Sequence, residues 1–163
     1  MKRLSFFPCY LILIITVSSC EETNPENTDP LSGLWVNVSA TETATVNVYL
    51  SYHFKANNQF EALLSIVDEN ANEVLGYRYR GLGTYALQDE TLSIAYTQIY
   101  VNDDSRQGYS ALEDLLLTDG TSEDILTIAF SEGDTTLTVY YGACGPNESF
   151  IGQQTFRKAE LPF

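Results

Sequence analysis

The chain has 163 residues and a formal charge of −14, set by 22 Asp and Glu against eight Lys and Arg. Such a balance excludes nucleic acid as a partner and excludes peripheral binding to anionic lipid, since both need clustered basic side chains. A single histidine rules out a His-based triad and a multi-histidine metal centre, so the chain reads as non-enzymatic, with no metal and no cofactor.

Taken in order, residues 1–19 form an export signal: Lys2 and Arg3, an apolar run from Phe6 to Val17, then Ser18 and Ser19. The run is too short for a membrane-spanning helix, which needs about 20 residues. The four residues "VSSC" that end in Cys20 resemble the lipobox of bacterial lipoproteins, with Val17 where leucine is usual. That resemblance implies a diacylglyceryl thioether on Cys20, cleavage before it and acylation of the new amine, with palmitate-type chains anchoring the protein. Each buried methylene contributes about 0.8 kcal/mol, so two or three chains hold far better than one. The plainer alternative is a cysteine that merely follows a signal peptide.

Residues 20–30, "CEETNPENTDP", contain four acidic residues, two prolines and no large apolar side chain, which is the composition of a tether. An acidic cluster behind a lipidated cysteine resembles the surface-export signal of Bacteroidetes lipoproteins and implies a surface-facing place on the outer membrane; an ordinary solvated spacer is the alternative. Without residues 1–19 the chain keeps six Lys and Arg against 22 Asp and Glu, a charge of −16. Of its three cysteines Cys9 leaves with the signal and Cys20 is acylated, so Cys144 has no intrachain partner. Stability must come from the core of one domain, residues 31–163.

"TVNVYLSYHF" places Val46, Val48, Leu50, Tyr52 and Phe54 on one face of a strand, and after the turn "KANNQ" the alternation resumes at Phe60, Ala62, Leu64 and Ile66. Further strands are expected over Val74–Arg80, Thr84–Leu87 and Leu92–Val101, with Gly81 and Gly83 as a break. The long segment 102–124 carries Leu112, Leu115 and Leu116 at helical spacing, which suggests a short helix or lid. "ILTIAF", "TTLTVYY" and a last strand from Gln153 to Lys158 follow. The expectation is an all-β fold: an antiparallel up-and-down β-barrel of about eight strands, with one short helix or lid loop. Counting strands puts the long segment at the end away from Trp35, where a ligand would enter.

Gly33-Leu34-Trp35 matches the Gly-x-Trp that opens the lipocalin barrel, and "YHFKANNQFEA", "GLGTYALQDETLSI" and "TTLTVYY…TFRK" resemble, in order, the later pieces of bacterial lipocalin-like lipoproteins. The likeness covers most of residues 31–158. It implies a lipocalin-like barrel in which Gly33 and Trp35 close one end and Arg157, or its neighbour Lys158, stacks over the indole. Animal lipocalins differ in having paired cysteines and further motifs, so their ligand transport does not carry over.

Tyr52, Phe54, Tyr96 and Tyr100 extend apolar rows toward the expected interior, and tyrosine joins a flat apolar body to a polar tip, so these four are the candidates for binding a small hydrophobic or amphipathic molecule. The same residues suit an ordinary core. In that case the protein is a surface accessory or protein-binding lipoprotein with a filled barrel. His53 reads as a solvent-facing strand residue and Cys144 as an unpaired thiol. "DENANE" starts like an oxygen-ligand loop for calcium but lacks its glycine and distal glutamate. "DTT" resembles a Bacteroidetes O-glycosylation motif, which would place a glycan on Thr135.

Overall fold

In the computed structural model, residues 29–40, 45–103, 108–131, 133–142 and 152–159 are described. The alternating segments form nine strands: β1 (Gly33–Ala40), β2 (Val46–Lys55), β3 (Gln59–Asp68), β4 (Glu73–Gln88), β5 (Thr91–Val101), β6 (Leu116–Leu117), β7 (Ser122–Ser131), β8 (Thr136–Tyr140) and β9 (Gln153–Ala159). Each is antiparallel to its neighbours, and β1, β2, β3, β4, β5, β7, β8 and β9 join in that order into a closed ring of eight. The short β6 extends the free edge of β5 through Tyr100–Leu117 and Val101–Leu116. Neighbours in the ring follow one another in sequence, so the order is up-and-down. Closure leaves no strand of the ring with an unpaired edge along its full length.

Two expectations change. Gly81 and Gly83 do not break the chain, and β4 runs unbroken for 16 residues. Glycine is required there by close approach: a Cβ on Gly83 would lie 2.0 Å from the Ala95 carbonyl oxygen, and one on Gly81 would lie 2.6 Å from the Tyr79 hydroxyl and from the Tyr96 ring. The segment 102–124 does not form an α-helix among its described residues. Its leucine spacing yields only a 3-10 turn over Leu112–Asp114, with Leu115 buried while Leu116 and Leu117 are exposed.

One end of the ring is sealed by residues 29–35. Trp35 is fully buried and its indole Nε1 donates to the Leu31 carbonyl at 2.7 Å. Leu31 is itself fully buried, and its N–H donates to the Asp29 carboxylate, which also accepts the Tyr85 hydroxyl proton. Asp29, which composition assigns to the tether, is thus drawn into the fold. Gly33 has φ +121°, a left-handed geometry that lets the chain turn under the ring and leaves Lys158 only 3.2 Å from where a Cβ would stand. The cation over the indole is Lys158, with Nζ 5.2 Å from the ring centroid. Arg157 does not take that role. The pairing sets Lys158 opposite the inward Trp35 and Arg157 opposite Val36, so strand alternation turns the guanidinium outward.

From this end β1 rises and β2 returns, which puts the Asn57–Asn58 turn beside Trp35 and the segment 102–121 at the opposite end, as the strand count requires. Trp35→Ala should cost about 3–5 kcal/mol, as truncation of a buried Trp does, and lower the melting temperature by about 10 °C or more. Lys158→Met should cost only about 0.5–1 kcal/mol. Thermal melts of both variants check the ranking, and equal effects would contradict it.

Candidate functional site

Period-two alternation turns one row of every ring strand inward, and these rows supply one core: Trp35, Tyr52, Phe54, Phe60, Ala62, Tyr85, Leu92, Ile94, Tyr96, Leu126, Ile128, Leu137, Val139 and Phe156. Tyr52 stacks on Phe156 at 4.8 Å and meets Phe60 at 5.4 Å; Phe54 meets Tyr85 at 4.9 Å and Phe60 at 5.2 Å; Phe60 meets Tyr96 at 5.7 Å. Three of the four aromatic candidates, Tyr52, Phe54 and Tyr96, therefore pack on other rings, and Phe54 is 1% exposed. The fourth, Tyr100, lies on the outer face. Leu82 pairs with Gln98 but Gly83 pairs with Tyr96, which leaves Thr97 as an extra residue. That bulge reverses the alternation beyond it, so Ile99 packs toward the core and Tyr100 stands beside Arg80 and Leu117.

Above this core, away from Trp35, the interior becomes polar. Tyr52 and Tyr141 hydroxyls are 3.3 Å apart, and Tyr141 donates to Gln154 Oε1 at 2.7 Å, so Tyr52 supplies the proton of the first bond. Tyr96 is hydrogen-bonded to Tyr79 and to Asp124. Asp124 is opposite Ile94, on the inward row of β7 that continues with Leu126 and Ile128. Burial holds its carboxyl above the usual range, against the opposing hydrogen bond from Tyr96. Burial, reinforced by neighbouring hydroxyls and Asp124, also pushes Tyr52 and Tyr96 well above the ordinary phenol range, and burial raises Tyr79 and Tyr141. All four stay neutral at physiological pH. They serve as hydrogen-bonding tips on an apolar floor.

Beside this layer, at the same end, a cleft of about 560 Å3 is lined by Arg78, Val101, Asn102 and Gly108. Val101 is the partner of Tyr79 across β4 and β5, which joins cleft and tyrosine layer. Arg78 Nε donates to the Gly108 carbonyl, and the Asn102 N–H donates to the Arg78 carbonyl at 2.9 Å. Strict period-two alternation would put Arg78 and Arg80 on one face. It misses the cleft because β4 carries a register shift at Arg78: Leu64 pairs with Tyr79 and Ser65 with Tyr77, and no spacing rule locates such an insertion.

Other candidates are accounted for structurally. Glu61 bridges Lys55 and Arg80 on the outer face, its Oε1 2.8 Å from Arg80 Nε. Burial works to raise the Glu61 pKa, but bonds and charges from Lys55 and Arg80 prevail and hold it below the ordinary value. His53, across from Glu61, is half-buried, and burial followed by the charge of Lys55 lowers its pKa. The Asp68 carboxylate accepts the N–H groups of Asn70 at 2.8 Å and Ala71 at 2.9 Å, so it caps the "DENAN" turn. Thr135 is exposed at the β7–β8 turn. Cys20 and Cys144 lie outside the described residues. Among the described residues no group of three or more His, Cys, Asp and Glu side chains is placed to hold a metal ion.

In comparisons with known proteins, the chain matches no family model, no curated protein and no solved structure. The functional argument therefore rests on the geometry of this end of the ring.

Because the folded Asp124 carboxyl has a raised pKa, the native state binds its proton more tightly than the unfolded chain, and ionising it costs stability as pH rises above the ordinary carboxylate range. Asp124 is itself exposed at the rim of the ring, so solvent screens much of this penalty: Asp124→Asn should melt only slightly above the parent at neutral pH, and the gap should close as pH falls toward 4. Melting curves of both proteins across that range decide it; a gap independent of pH would mean that the carboxylate is not penalised.

Proposed function

We propose that this protein is a non-enzymatic, outer-membrane lipoprotein with a lipocalin-like barrel, which holds a small amphipathic molecule at the barrel end opposite Trp35. One observation carries the reading: the aromatic filling stops at a layer of tyrosine hydroxyls, beside a cleft of about 560 Å3 that joins apolar and polar walls. That volume lies in the range of about 300–1,000 Å3 usual for small-ligand sites. The filled interior supports a shallow seat at the mouth and argues against a deep calyx. A ligand would lie across Val101 and the tyrosine tips, with the Tyr52 ring beneath.

The anchor fits this arrangement. Asp29 is bound at the Trp35 end, and nine residues reach at most about 30 Å from there to Cys20. Acylated at Cys20, the chain turns its cleft away from the lipid surface, toward solutes outside. The acidic surface adds no affinity for anionic headgroups, so attachment depends on the acyl chains alone. Cys20→Ala should abolish acyl labelling and release the protein from membranes; unchanged detergent partitioning would refute lipidation.

Native mass spectrometry of the protein purified from its own cells tests the ligand seat. The expected result is a retained small molecule on the parent chain and its loss in Val101→Trp, at an unchanged melting temperature. If neither protein retains one, a second reading takes over, in which the outer wall binds another protein. One observation favours that reading: Ile125 is 69% exposed and Tyr140 40% exposed. They lie diagonally on one outer face, since Tyr140 is opposite Thr127. Aromatic and aliphatic pairs of this kind anchor interfaces.

A further inference from the structure

Arg78 differs from the other cations of the fold. Among the described residues the ion pairs are Lys55–Glu61 and Arg80–Glu61, while Lys158 lies over Trp35 and Arg157 faces outward on β9. Arg78 has no carboxylate partner among those residues, although the chain carries 22 Asp and Glu. It is nonetheless held in place. The register shift at Arg78 re-aims its side chain, its Nε is fixed on the Gly108 carbonyl, and its own carbonyl takes the Asn102 N–H. The guanidinium also lies close against Gly108, where a Cβ would come within 3.2 Å of Nη2. With Nε occupied, the two terminal nitrogens, which bond no other described residue, form a planar fork, the geometry that matches a carboxylate or phosphate with two parallel bonds.

Two further buried polar atoms lack partners among the described residues. Asn102 Oδ1, from a residue lining the cleft, and Ser110 Oγ are buried and make no hydrogen bond among the described residues. Buried polar atoms are almost always paired, and an exception on Asn102, which lines the cleft, points to a ligand contact. The Asn102 amide carries an NH2 donor beside that oxygen, and the Ser110 hydroxyl donates as readily as it accepts.

The surrounding charge narrows the class. A mature chain at −16 repels a dianion about twice as strongly as a monoanion, and a single guanidinium balances one negative charge. Resting on the ligand-binding reading above, we infer that the cleft seats the head group of an amphipathic monocarboxylic acid: the carboxylate on the Arg78 fork and the Asn102 amide, the apolar body against Val101. Arg78 and Asn102 then select among molecules that the apolar wall alone would accept alike.

The test uses the mature full-length chain with three probes of equal chain length: a dansyl-labelled undecanoic acid, its alcohol counterpart and the matching alkyl phosphate, titrated by fluorescence. The acid should bind at least tenfold tighter than the alcohol and no more weakly than the phosphate. Asn102→Asp, which keeps the backbone bond to Arg78, should weaken the acid far more than the alcohol and so remove the advantage of the acid. Arg78→Gln should do the same, and alcohol affinity in that variant reports whether the cleft survives loss of the Gly108 bond. Equal binding of acid and alcohol by the parent overturns the inference while leaving an amphipathic site standing. Tighter binding of the phosphate overturns the choice of a monocarboxylate. Binding of none of the three overturns both the inference and the ligand-binding reading.

Discussion

Three residue pairs, Leu34–Ala159, Trp35–Lys158 and Val36–Arg157, turn a meander into a ring. Without them β1 and β9 would each present a row of unsatisfied backbone groups and a template for association with other chains. The seam is short, so side chains must fix it. Trp35 sits at its middle, paired in the backbone with the same Lys158 whose ammonium covers its indole, and bonded through Nε1 to Leu31. Ring closure and the plugging of one end are therefore a single event. Gly33 permits both by its left-handed turn, and Asp29 secures the entering chain by accepting from the Leu31 N–H and Tyr85.

The way the interior is filled follows from that plug. Trp35 and the rings of Phe54, Phe60, Tyr85 and Phe156 occupy the volume nearest the seam, where large flat side chains close the ring by tilted, edge and stacked contacts. Tyrosine hydroxyls cannot be buried there without partners, and most are not. Tyr85 reaches Asp29 at the closed end, whereas Tyr52, Tyr79, Tyr96 and Tyr141 gather with Gln154 and Asp124 toward the other. The separation of apolar floor from polar rim is thus imposed by hydrogen-bond satisfaction. It also gives the fold one end suited to stability and one suited to contact with solutes.

The pairing of β4 with its neighbours is interrupted three times. Thr97 and Arg78 each fall at a register shift, and a further shift lies between Ile66 and Val67. An extra residue reverses which side chains face inward beyond it, at the expense of local pairing. In β5 this removes Tyr100 from the interior and brings Ile99 toward it; in β4 Arg78 is itself the extra residue, between Tyr77 and Tyr79. Gly81 and Gly83 belong to the same adjustment, since strands that bend so closely leave no room for a Cβ.

The linear pattern marked the alternating segments and their antiparallel up-and-down order, because alternation and turn chemistry are local; that β4 runs unbroken through Gly81 and Gly83, on which the placing of segment 102–121 opposite Trp35 depends, was decided by tertiary pairing. The linear pattern also marked Gly33 and Trp35 as the closing pair, and it set the acidic charge that excludes polyanions. Only the tertiary structure decided that Lys158 and not Arg157 faces the indole, a choice made by pairing register. Register likewise removed Tyr100 from the interior. Tertiary packing decided that Tyr52, Phe54 and Tyr96 fill space, because whether inward rings enclose a cavity depends on how eight rows meet across the ring. Arg78 and Asn102 were illegible for the same reason: residues 24 positions apart come together through a bulge and a backbone bond that no local spacing encodes.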